Sequence, residues 1–216
     1  GCKWRSLPKI YGNWHTVYAR MNRLAKNGIL QKIFQHFARK QIDVARPVHV
    51  SLDTTSIKVS PDATGALKKG AQAMGVSRGG RTTKIHLVAA NSNCAVAILL
   101  SSGNDHDDPR GRELLQQIPH IPTVSHVLMD KAYGSAETRS LIESFGMMPV
   151  VQPKSNIKNP WSYDVERYKN RNEIERYVRR LKAYRRIFSR FDKLSVIYLS
   201  FPYLAMFMEI VRHAYN

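Results

Sequence analysis

The stretch ERYKNRNEIERYVRRLKAYRRIFSR, residues 166–190, predicts one long helix. It is rich in good helix formers and contains neither glycine nor proline. Its apolar residues recur at helical spacing and fall within one sector of a helix that turns by about 100° per residue. We therefore expect a buried stripe formed by Ile174, Tyr177, Leu181, Tyr184 and Phe188.

A second stripe of this predicted helix is polar. Tyr168, Arg171 and Glu175 lie within roughly 60° of one another on the helical wheel, and Lys182 falls in the same sector. Glu173 points about 140° away from Tyr168. Such a stripe is usually a solvated face of ion pairs at i,i+3 and i,i+4 spacing. The alternative is a metal-binding carboxylate flanked by cations that bind phosphate.

The spacing of these four residues is more specific than a single acid would be. Tyr168, two residues, Arg171, three residues, Glu175, six residues and Lys182 resemble the Y-R-E-K motif of bacterial insertion-sequence DDE transposases, in the IS-four/IS-five-like branch. The resemblance implies that Glu175 is a catalytic, metal-binding carboxylate. It also implies that Tyr168, Arg171 and Lys182 position the phosphates and the terminal base of DNA. Two further carboxylates must then come from the rest of the chain.

Short apolar or alternating segments predict five strands. They cover residues 48–53, 82–90, 95–101, 123–129 and 148–152. Helices are predicted over 108–118 and 135–145, and a last one over 194–212. Three consecutive strands, then helix, strand, helix, strand and two long helices predict an α/β, ribonuclease-H-like fold, with a mixed five-stranded sheet flanked by helices.

Residues 1–46 predict a small helical segment, and residues 47–216 the ribonuclease-H-like DDE catalytic domain. Residues 1–29 also resemble the region just ahead of the catalytic domain in the family. An additional helical piece normally precedes that region, so we expect part of the end-recognition module to be missing. The segment 1–46 would then be the remnant of a DNA-binding region; the alternative is a plain helical cap on the catalytic domain.

Asp53 ends the first predicted strand and Asp130 ends the fourth. These strands are neighbours in the predicted topology, so the two acids can converge, and the long helix brings Glu175 to them. Alone, a strand-terminal aspartate is usually a turn or cap residue, and Glu175 could be ion-paired. Asp53 in SLDTTSIKV and Asp130 in MDKAYGS also resemble the catalytic segments of the family, although Ala132 stands where glycine is usual and Gly134 where aspartate is common.

Three carboxylates suit two hard divalent cations, Mg²⁺ or Mn²⁺, which prefer oxygen ligands. Two such ions roughly 3.5–4 Å apart support an in-line displacement at phosphorus. The resemblance implies that water first nicks the end of the element and that the freed 3′-OH then attacks target DNA. We therefore predict a DDE transposase that cleaves DNA and transfers strands, with Asp53, Asp130 and Glu175 as catalytic and metal-binding residues.

The stretch 54–81 predicts a long, functional loop that is rich in glycine and basic residues. Its run GVSRGG, residues 75–80, resembles IS-five-type sequences. Glycine would let main-chain N–H groups approach DNA phosphates, and nearby cations would supply charge. These cations are Lys68, Lys69, Arg78 and Arg81. The alternative is a disordered, solvated loop, and the two interpretations are compatible if the loop becomes ordered on DNA.

The net charge of +18, from 34 basic and 16 acidic residues, predicts a polyanionic partner. Nucleic acid is the first candidate and an anionic membrane the second. We expect double-stranded DNA, both the terminal inverted repeats of the element and the target, and no membrane. The resemblance further implies a homodimer that forms on DNA.

Two cysteines without metal-ligand spacing, the absence of a signal peptide and a core-like apolar segment over 196–211 fit the bacterial cytoplasm, in association with the nucleoid. Two rival functions stay open. One is another ribonuclease-H-like, metal-dependent nuclease such as a junction resolvase. The other is an inactive, truncated transposase that only binds DNA.

Overall fold

A central strand, β1 (His49–Val59), organises the structure, a computed structural model that describes residues 3–65 and 72–214. Six further strands join it in one sheet. They are β2 (Gly75–Ser77), β3 (Gly80–Asn91), β4 (Cys94–Ser102), β5 (His126–Met129), β6 (Met148–Val151) and β7 (Ser189–Arg190). The five longest lie in the order β4-β3-β1-β5-β6.

The sheet is mixed, as predicted. β3 is antiparallel to β1 and to β4, whereas β5 is parallel to β1 and β6 is parallel to β5. Counting only the five long strands in chain order gives 3-2-1-4-5, which confirms the ribonuclease-H-like fold. The two short strands were not predicted, and they add to the end of the sheet at which β1 finishes.

Helices cover both faces of the sheet. They are α1 (Trp14–Lys26), α2 (Ile29–Ala45), α3 (Asp107–Leu115), α4 (Ala136–Ser144), α5 (Val165–Lys169), α6 (Asn172–Ala183), α7 (Arg185–Phe188) and α8 (Ser195–Ala214). Side-chain caps begin several of them: the Asn13 side chain accepts a hydrogen bond from the main-chain N–H of His15 at 2.9 Å, ahead of α1.

Two apolar clusters form the core because residues of a strand point alternately to opposite faces of the sheet. On one face Ile57 and Leu87 pack with residues of α2, α6 and α8. On the other face Leu52 and Val127 pack with residues of α3 and α4, and with Tyr133. The sheet is therefore the middle layer of three.

The prediction of a single helix over 166–190 is wrong, because the chain forms α5, α6 and α7 and then β7. Tyr184 leaves the helical conformation with ψ of 112°. This break lets Ser189 and Arg190 pair with the last two residues of β1, a contact that a continuous helix could not make. Tertiary pairing thus outweighs local helix propensity.

The break also changes the predicted buried stripe. Ile174, Tyr177 and Leu181 are buried as expected. Phe188 is 62% exposed, whereas its neighbour Ile187 is 1% exposed and packs in the core instead. The change follows from the altered chain direction after Tyr184.

The predicted long loop over 54–81 is wrong at both of its ends. Residues 54–59 continue β1, and they pair with β3 as far as Lys58 and Thr82. β2 forms a hairpin with the start of β3, closed by Arg78 and Gly79. Asp53 therefore lies within a strand and not at its end.

Arg190 anchors this part of the chain. Its side chain is fully buried, and burial lowers the pKa of the guanidinium to about 10. It donates to the main-chain oxygens of Ala73, Asp192 and Lys193 and to the hydroxyls of Thr83 and Ser195. Its own carbonyl accepts the N–H of Ser60 at 2.8 Å.

The N-terminal segment packs on the rest of the chain. The Trp4 indole N–H donates to the Asp192 carboxylate at 3.0 Å, and the Arg186 guanidinium lies 4.8 Å from the centroid of the Trp4 ring. Phe34 of α2 belongs to the same apolar cluster as Ile57. These contacts join residues 3–46 to the sheet.

The last helix, α8, is long and apolar enough to cross a membrane by length and composition, and no other helix of the described chain is. Its residues Tyr198, Met206 and Ile210 are buried in the core of the protein. α8 therefore serves as a core helix in this fold, as its sequence predicted.

Candidate active site

Asp53 and Asp130 lie at neighbouring positions of the sheet. The parallel pairing of β1 with β5 ends at Leu52 and Met129, and each acid is the next residue along the chain. After this point β1 continues beside β3, whereas the segment that follows β5 leaves the sheet and forms a 3₁₀ turn over Lys131–Tyr133. The two acids thus stand where the strands diverge.

The surroundings of the Asp53 carboxyl disfavour its ionised form. Its pKa is raised from 3.8 to about 6, chiefly by burial and to a smaller extent by the nearby carboxylates of Glu175 and Asp130. A hydrogen bond from the Thr54 main-chain N–H and the positive charge of Arg171 act in the opposite direction. Such a carboxylate gains free energy from any additional cation that approaches it.

Asp130 serves locally as a cap. Its carboxylate accepts a hydrogen bond from the Lys131 main-chain N–H at 2.6 Å, ahead of the 3₁₀ turn. This is the ordinary role of a strand-terminal aspartate. Ala132, one of the two departures from the family pattern, is exposed in this turn.

Glu175 is ion-paired with Arg171, with 2.7 Å between Oε1 and Nη2. The Glu175 side chain is 45% exposed and that of Arg171 is 19% exposed. Burial lowers the pKa of Arg171, but the carboxylates of Glu175, Asp130 and Asp53 outweigh it and raise the pKa overall. The Arg171 guanidinium also lies 5.7 Å from the centroid of the Tyr168 ring. Tyr168, Arg171 and Glu175 thus share one face with the two aspartates.

The three acids are close enough to influence one another electrostatically, but their side chains are not arranged to bind a metal ion. Asp53 interacts with both other acids. Yet over residues 3–65 and 72–214 no three carboxylate, histidine or cysteine side chains lie close enough together to hold a metal ion as they stand. Glu175 is directed to Arg171 and Asp130 to its own turn. Two of the three carboxylates thus engage protein partners.

Glu173 lies away from this group, as the helical wheel predicted. Its Oε2 is 3.8 Å from Nε2 of His49, the first residue of β1. Burial lowers the pKa of His49, and the Glu173 carboxylate partly opposes this shift. Two acids of the same helical turn therefore face different parts of β1: Glu173 lies beside its first residue, and Glu175 acts electrostatically on Asp53 in its middle.

The other predicted DNA contacts lie farther from the acids. Lys182 is seven residues beyond Glu175 on α6, or ~10 Å along the helix. Arg81 is six residues before Leu87, the partner of Asp53 on β3, which places it roughly 20 Å along the strand. Arg78 is exposed in the β2–β3 turn. Lys68 and Lys69 lie outside the described residues.

Four polar residues behind Asp53 were not predicted as part of the site. They are Thr54, His86, Ser101 and Tyr133, and they form a buried hydrogen-bonded chain. One signal was present in the sequence: His86 interrupts the apolar run of β3. Its strand partner is Thr54, which only the pairing register reveals.

Comparison with solved structures finds weak overall similarity. The catalytic core domain of BIV integrase is 13% identical, with a TM-score of 0.38, over 79% of this chain and 99% of that chain. A pre-cleavage Mos1 transpososome is 11% identical, with a TM-score of 0.34, over 99% of this chain and 74% of that chain.

Comparison with sequences finds closer relatives. A putative transposase for insertion sequence element IS6501 from Brucella ovis is 32% identical over 133 residues, which cover 61% of this chain and 99% of that protein. A family described as putative transposase of IS4/5 family matches residues 1–34. The family described as transposase DDE domain matches residues 45–198, which include all three acids of the site. The chain therefore belongs to the DDE transposases of the IS4/5 family.

Proposed function

We propose that this transposase cleaves phosphodiester bonds at the ends of its insertion sequence and joins the freed 3′ ends to target DNA. One observation carries the proposal. Asp53, Asp130 and Glu175 come from three separate elements into one electrostatic neighbourhood, in which burial raises the pKa of Asp53 to about 6. Membership of the DDE family supports the assignment of these acids as the catalytic set.

The donor set fits hard divalent cations, because all three side chains offer carboxylate oxygens. Asp53, Asp130 and Glu175 would hold two Mg²⁺ or Mn²⁺ ions. When bound, such ions activate the attacking oxygen and stabilise the departing 3′ oxygen. Glu175 must first leave Arg171, and an ion pair this exposed contributes only about 0–1 kcal/mol, so the rearrangement costs little.

The protein's own side chains would then bind and orient DNA. Arg171, freed from Glu175, and Lys182 would contact phosphates along α6. Tyr168, half-buried beside Arg171, offers a ring on which an unpaired terminal base can stack.

Four further cations, Lys68, Lys69, Arg78 and Arg81, would contact phosphates farther along the duplex. The distance of roughly 20 Å between Arg81 and Asp53 spans about six base pairs. The partners are the terminal inverted repeats, the target DNA and a second copy of the chain that joins on DNA.

Glu175→Gln and Glu173→Gln form a matched pair that tests this function, because both acids lie in the first turn of α6. We expect Glu175→Gln to lower Mg²⁺-dependent cleavage of linear DNA with inverted repeats by at least ~100-fold, because a metal ligand is lost. Binding of the same DNA should remain. Glu173→Gln should cleave at nearly the wild-type rate. Loss of cleavage in the Glu173 variant alone would contradict the site.

Two outcomes would favour the rival functions. Wild-type protein that binds the repeats but cuts them with neither Mg²⁺ nor Mn²⁺ would be a DNA-binding protein only. Cleavage of four-way junctions in preference to linear ends, without strand transfer, would indicate a resolvase. An assay that offers linear repeat ends, four-way junctions and target DNA distinguishes these cases.

A further inference from the structure

A chain of buried polar side chains crosses the sheet next to Asp53, on the face that α3 and α4 cover. The Tyr133 and Thr54 hydroxyls are in hydrogen-bond contact. Thr54 Oγ1 lies 2.7 Å from His86 Nδ1, and His86 Nε2 lies 2.8 Å from Ser101 Oγ. His86 is 0% exposed and Tyr133 is 1% exposed. Every member of the chain is hydrogen-bonded, as buried polar groups must be if they are not to destabilise the fold.

One end of the chain fixes the direction of its hydrogen bonds. Ser101 Oγ donates to the main-chain carbonyl of Ser102 at 3.3 Å, and a carbonyl can only accept. The single Ser101 proton is then used, so Ser101 accepts from His86 Nε2–H. Burial lowers the pKa of His86 to about 4, so the ring is neutral and accepts at Nδ1 from Thr54. Thr54 in turn accepts from Tyr133.

The other end of the chain joins the two segments that carry the aspartates. Thr54 directly follows Asp53, and its main-chain N–H lowers the pKa of the Asp53 carboxyl. Tyr133 closes the 3₁₀ turn that Asp130 caps, with its N–H 2.9 Å from the Asp130 carbonyl. The pairing between β1 and β5 has already ended before either acid. The contact between the Tyr133 and Thr54 hydroxyls therefore links the two segments beyond the last main-chain pairing.

The packing around Tyr133 leaves its ring little freedom. A Cβ added at Gly111 of α3 would lie 2.6 Å from the Tyr133 ring, so the ring rests directly on the helix backbone. The phenol oxygen is thus held at one place relative to β1. Because the Tyr133 ring is fixed and every hydrogen-bond donor of the four side chains has an acceptor, the hydrogen-bonded series is a rigid connection.

We propose that Tyr133, Thr54, His86 and Ser101 form a positioning network that sets the spacing of Asp53 and Asp130 for divalent cations. The inference rests on the proposed function, since it takes these two acids as metal ligands. A purely structural role would affect folding stability alone. The positioning role also requires that cation affinity depends on hydroxyls that touch no cation.

Tyr133→Phe and Tyr198→Phe separate these two roles. The Tyr198 hydroxyl is also buried and donates to the Ile187 carbonyl at 3.0 Å, on the face of the sheet that α8 covers. We expect both variants to lose similar thermal stability, because each loses one buried hydrogen bond. Only Tyr133→Phe should weaken Mn²⁺ binding, by about 10-fold, as for other outer-sphere partners of metal ligands. The measurement is a Mn²⁺ titration without DNA, followed by electron paramagnetic resonance of the free ion.

Thr54→Val and Thr54→Ser provide the second pair. Valine removes the hydroxyl that links Tyr133 to His86, and we expect at least ~10-fold weaker Mn²⁺ binding. Serine keeps the hydroxyl and should bind Mn²⁺ like the wild type. If the valine variant does not fold, the serine variant and Tyr133→Phe still decide the question.

The outcomes distinguish the network from the function on which it rests. Wild-type protein that binds Mn²⁺ no better than Asp53→Asn would overturn the proposed function and the network with it. Wild-type protein that loses Mn²⁺ affinity on Asp53→Asn, but not on Tyr133→Phe, would overturn the network alone.

Discussion

The two parts of the candidate site are held in different ways. Asp53 and Asp130 follow directly after paired strand residues, so main-chain hydrogen bonds determine where they lie. Glu175 belongs to a segment that breaks into three short helices, and among the described residues its carboxylate is held by the ion pair with Arg171 alone. The sheet therefore supplies a fixed half of the site and the helical segment an adjustable half. A rearrangement on cation or DNA binding should occur mainly in the second half.

The largest effect is expected where the helical segment breaks. Ile187→Ala should lower the free energy of unfolding by about 2–5 kcal/mol, because Ile187 is 1% exposed and its removal leaves a cavity. Phe188→Ala should change it by no more than about 0.5 kcal/mol, because Phe188 is 62% exposed. Urea unfolding of both variants measures the difference. If Phe188→Ala lost more stability than Ile187→Ala, the result would support the continuous helix that the sequence predicted.

A second prediction concerns the fixed half of the site. Because the pKa of Asp53 is about 6 in the folded protein and near 3.8 when unfolded, the folded state binds more protons between these values. Stability is thus lost as pH rises through 6, by about 3 kcal/mol in full. Asp53→Asn removes this loss, so the variant should be more stable than the wild type at pH 8 without divalent cations. The advantage should shrink as pH approaches 4.

Urea unfolding at both pH values checks this prediction. The lowered pKa of His86 has the opposite pH dependence, but it acts in both proteins and cancels in the comparison. Asp43→Asn on the exposed side of α2 is a suitable control and should differ from the wild type by no more than about 0.5 kcal/mol at either pH. If the Asp53→Asn variant is less stable than the wild type at pH 8, ionised Asp53 does not destabilise the folded state.

The smallest effect is expected in DNA binding by the adjustable half. The Lys182 side chain has no hydrogen bond or ion pair with any described residue. Lys182→Ala should therefore reduce the slope of log affinity against log salt concentration by about one, which corresponds to one lost phosphate contact. Titrations of labelled inverted-repeat DNA at several salt concentrations give this slope.

Arg180→Ala is the matched control on the same helix. The Arg180 guanidinium binds the Glu209 carboxylate at 3.1 Å and the Asn93 side chain at 3.0 Å, so it is directed towards protein. Its removal should leave the slope unchanged. An unchanged slope for Lys182→Ala as well would exclude Lys182 from the phosphate contacts.

The sheet could be predicted from the sequence because its signals are local. Alternation in VHVSLD, the turn at Asn91–Asn93 and the apolar run before Asp130 each report on a few neighbouring residues. The unforeseen part of β1, Thr54–Val59, lies beyond its pairing with β5 and gains its partners from β3 and β7. Such pairing between distant segments leaves little trace in local composition.

The helical segment and the polar network show two other limits. Every residue near Tyr184 tolerates a helix, and the break there depends on the pairing of Ser189 and Arg190 with β1. A polar residue in a strand normally indicates a solvent-facing position. His86 and Thr54 instead face each other beneath α3, where the phenol of Tyr133 meets them.

Because Arg190 is anchored in the core, the length of the connection between Ser60 and Ala73 can vary without a change in the rest of the fold. The chain leaves the sheet at Ser60, which bonds to the Arg190 carbonyl, and re-enters at Ala73, whose carbonyl accepts from the Arg190 guanidinium. One residue thus clamps both ends of the intervening stretch. For two chain ends held in this way, doubling the number of residues between them costs only about 0.6 kcal/mol in closure entropy. Relatives could therefore carry inserts of very different size at this point, and a reporter peptide could be grafted there without shifting the carboxylates.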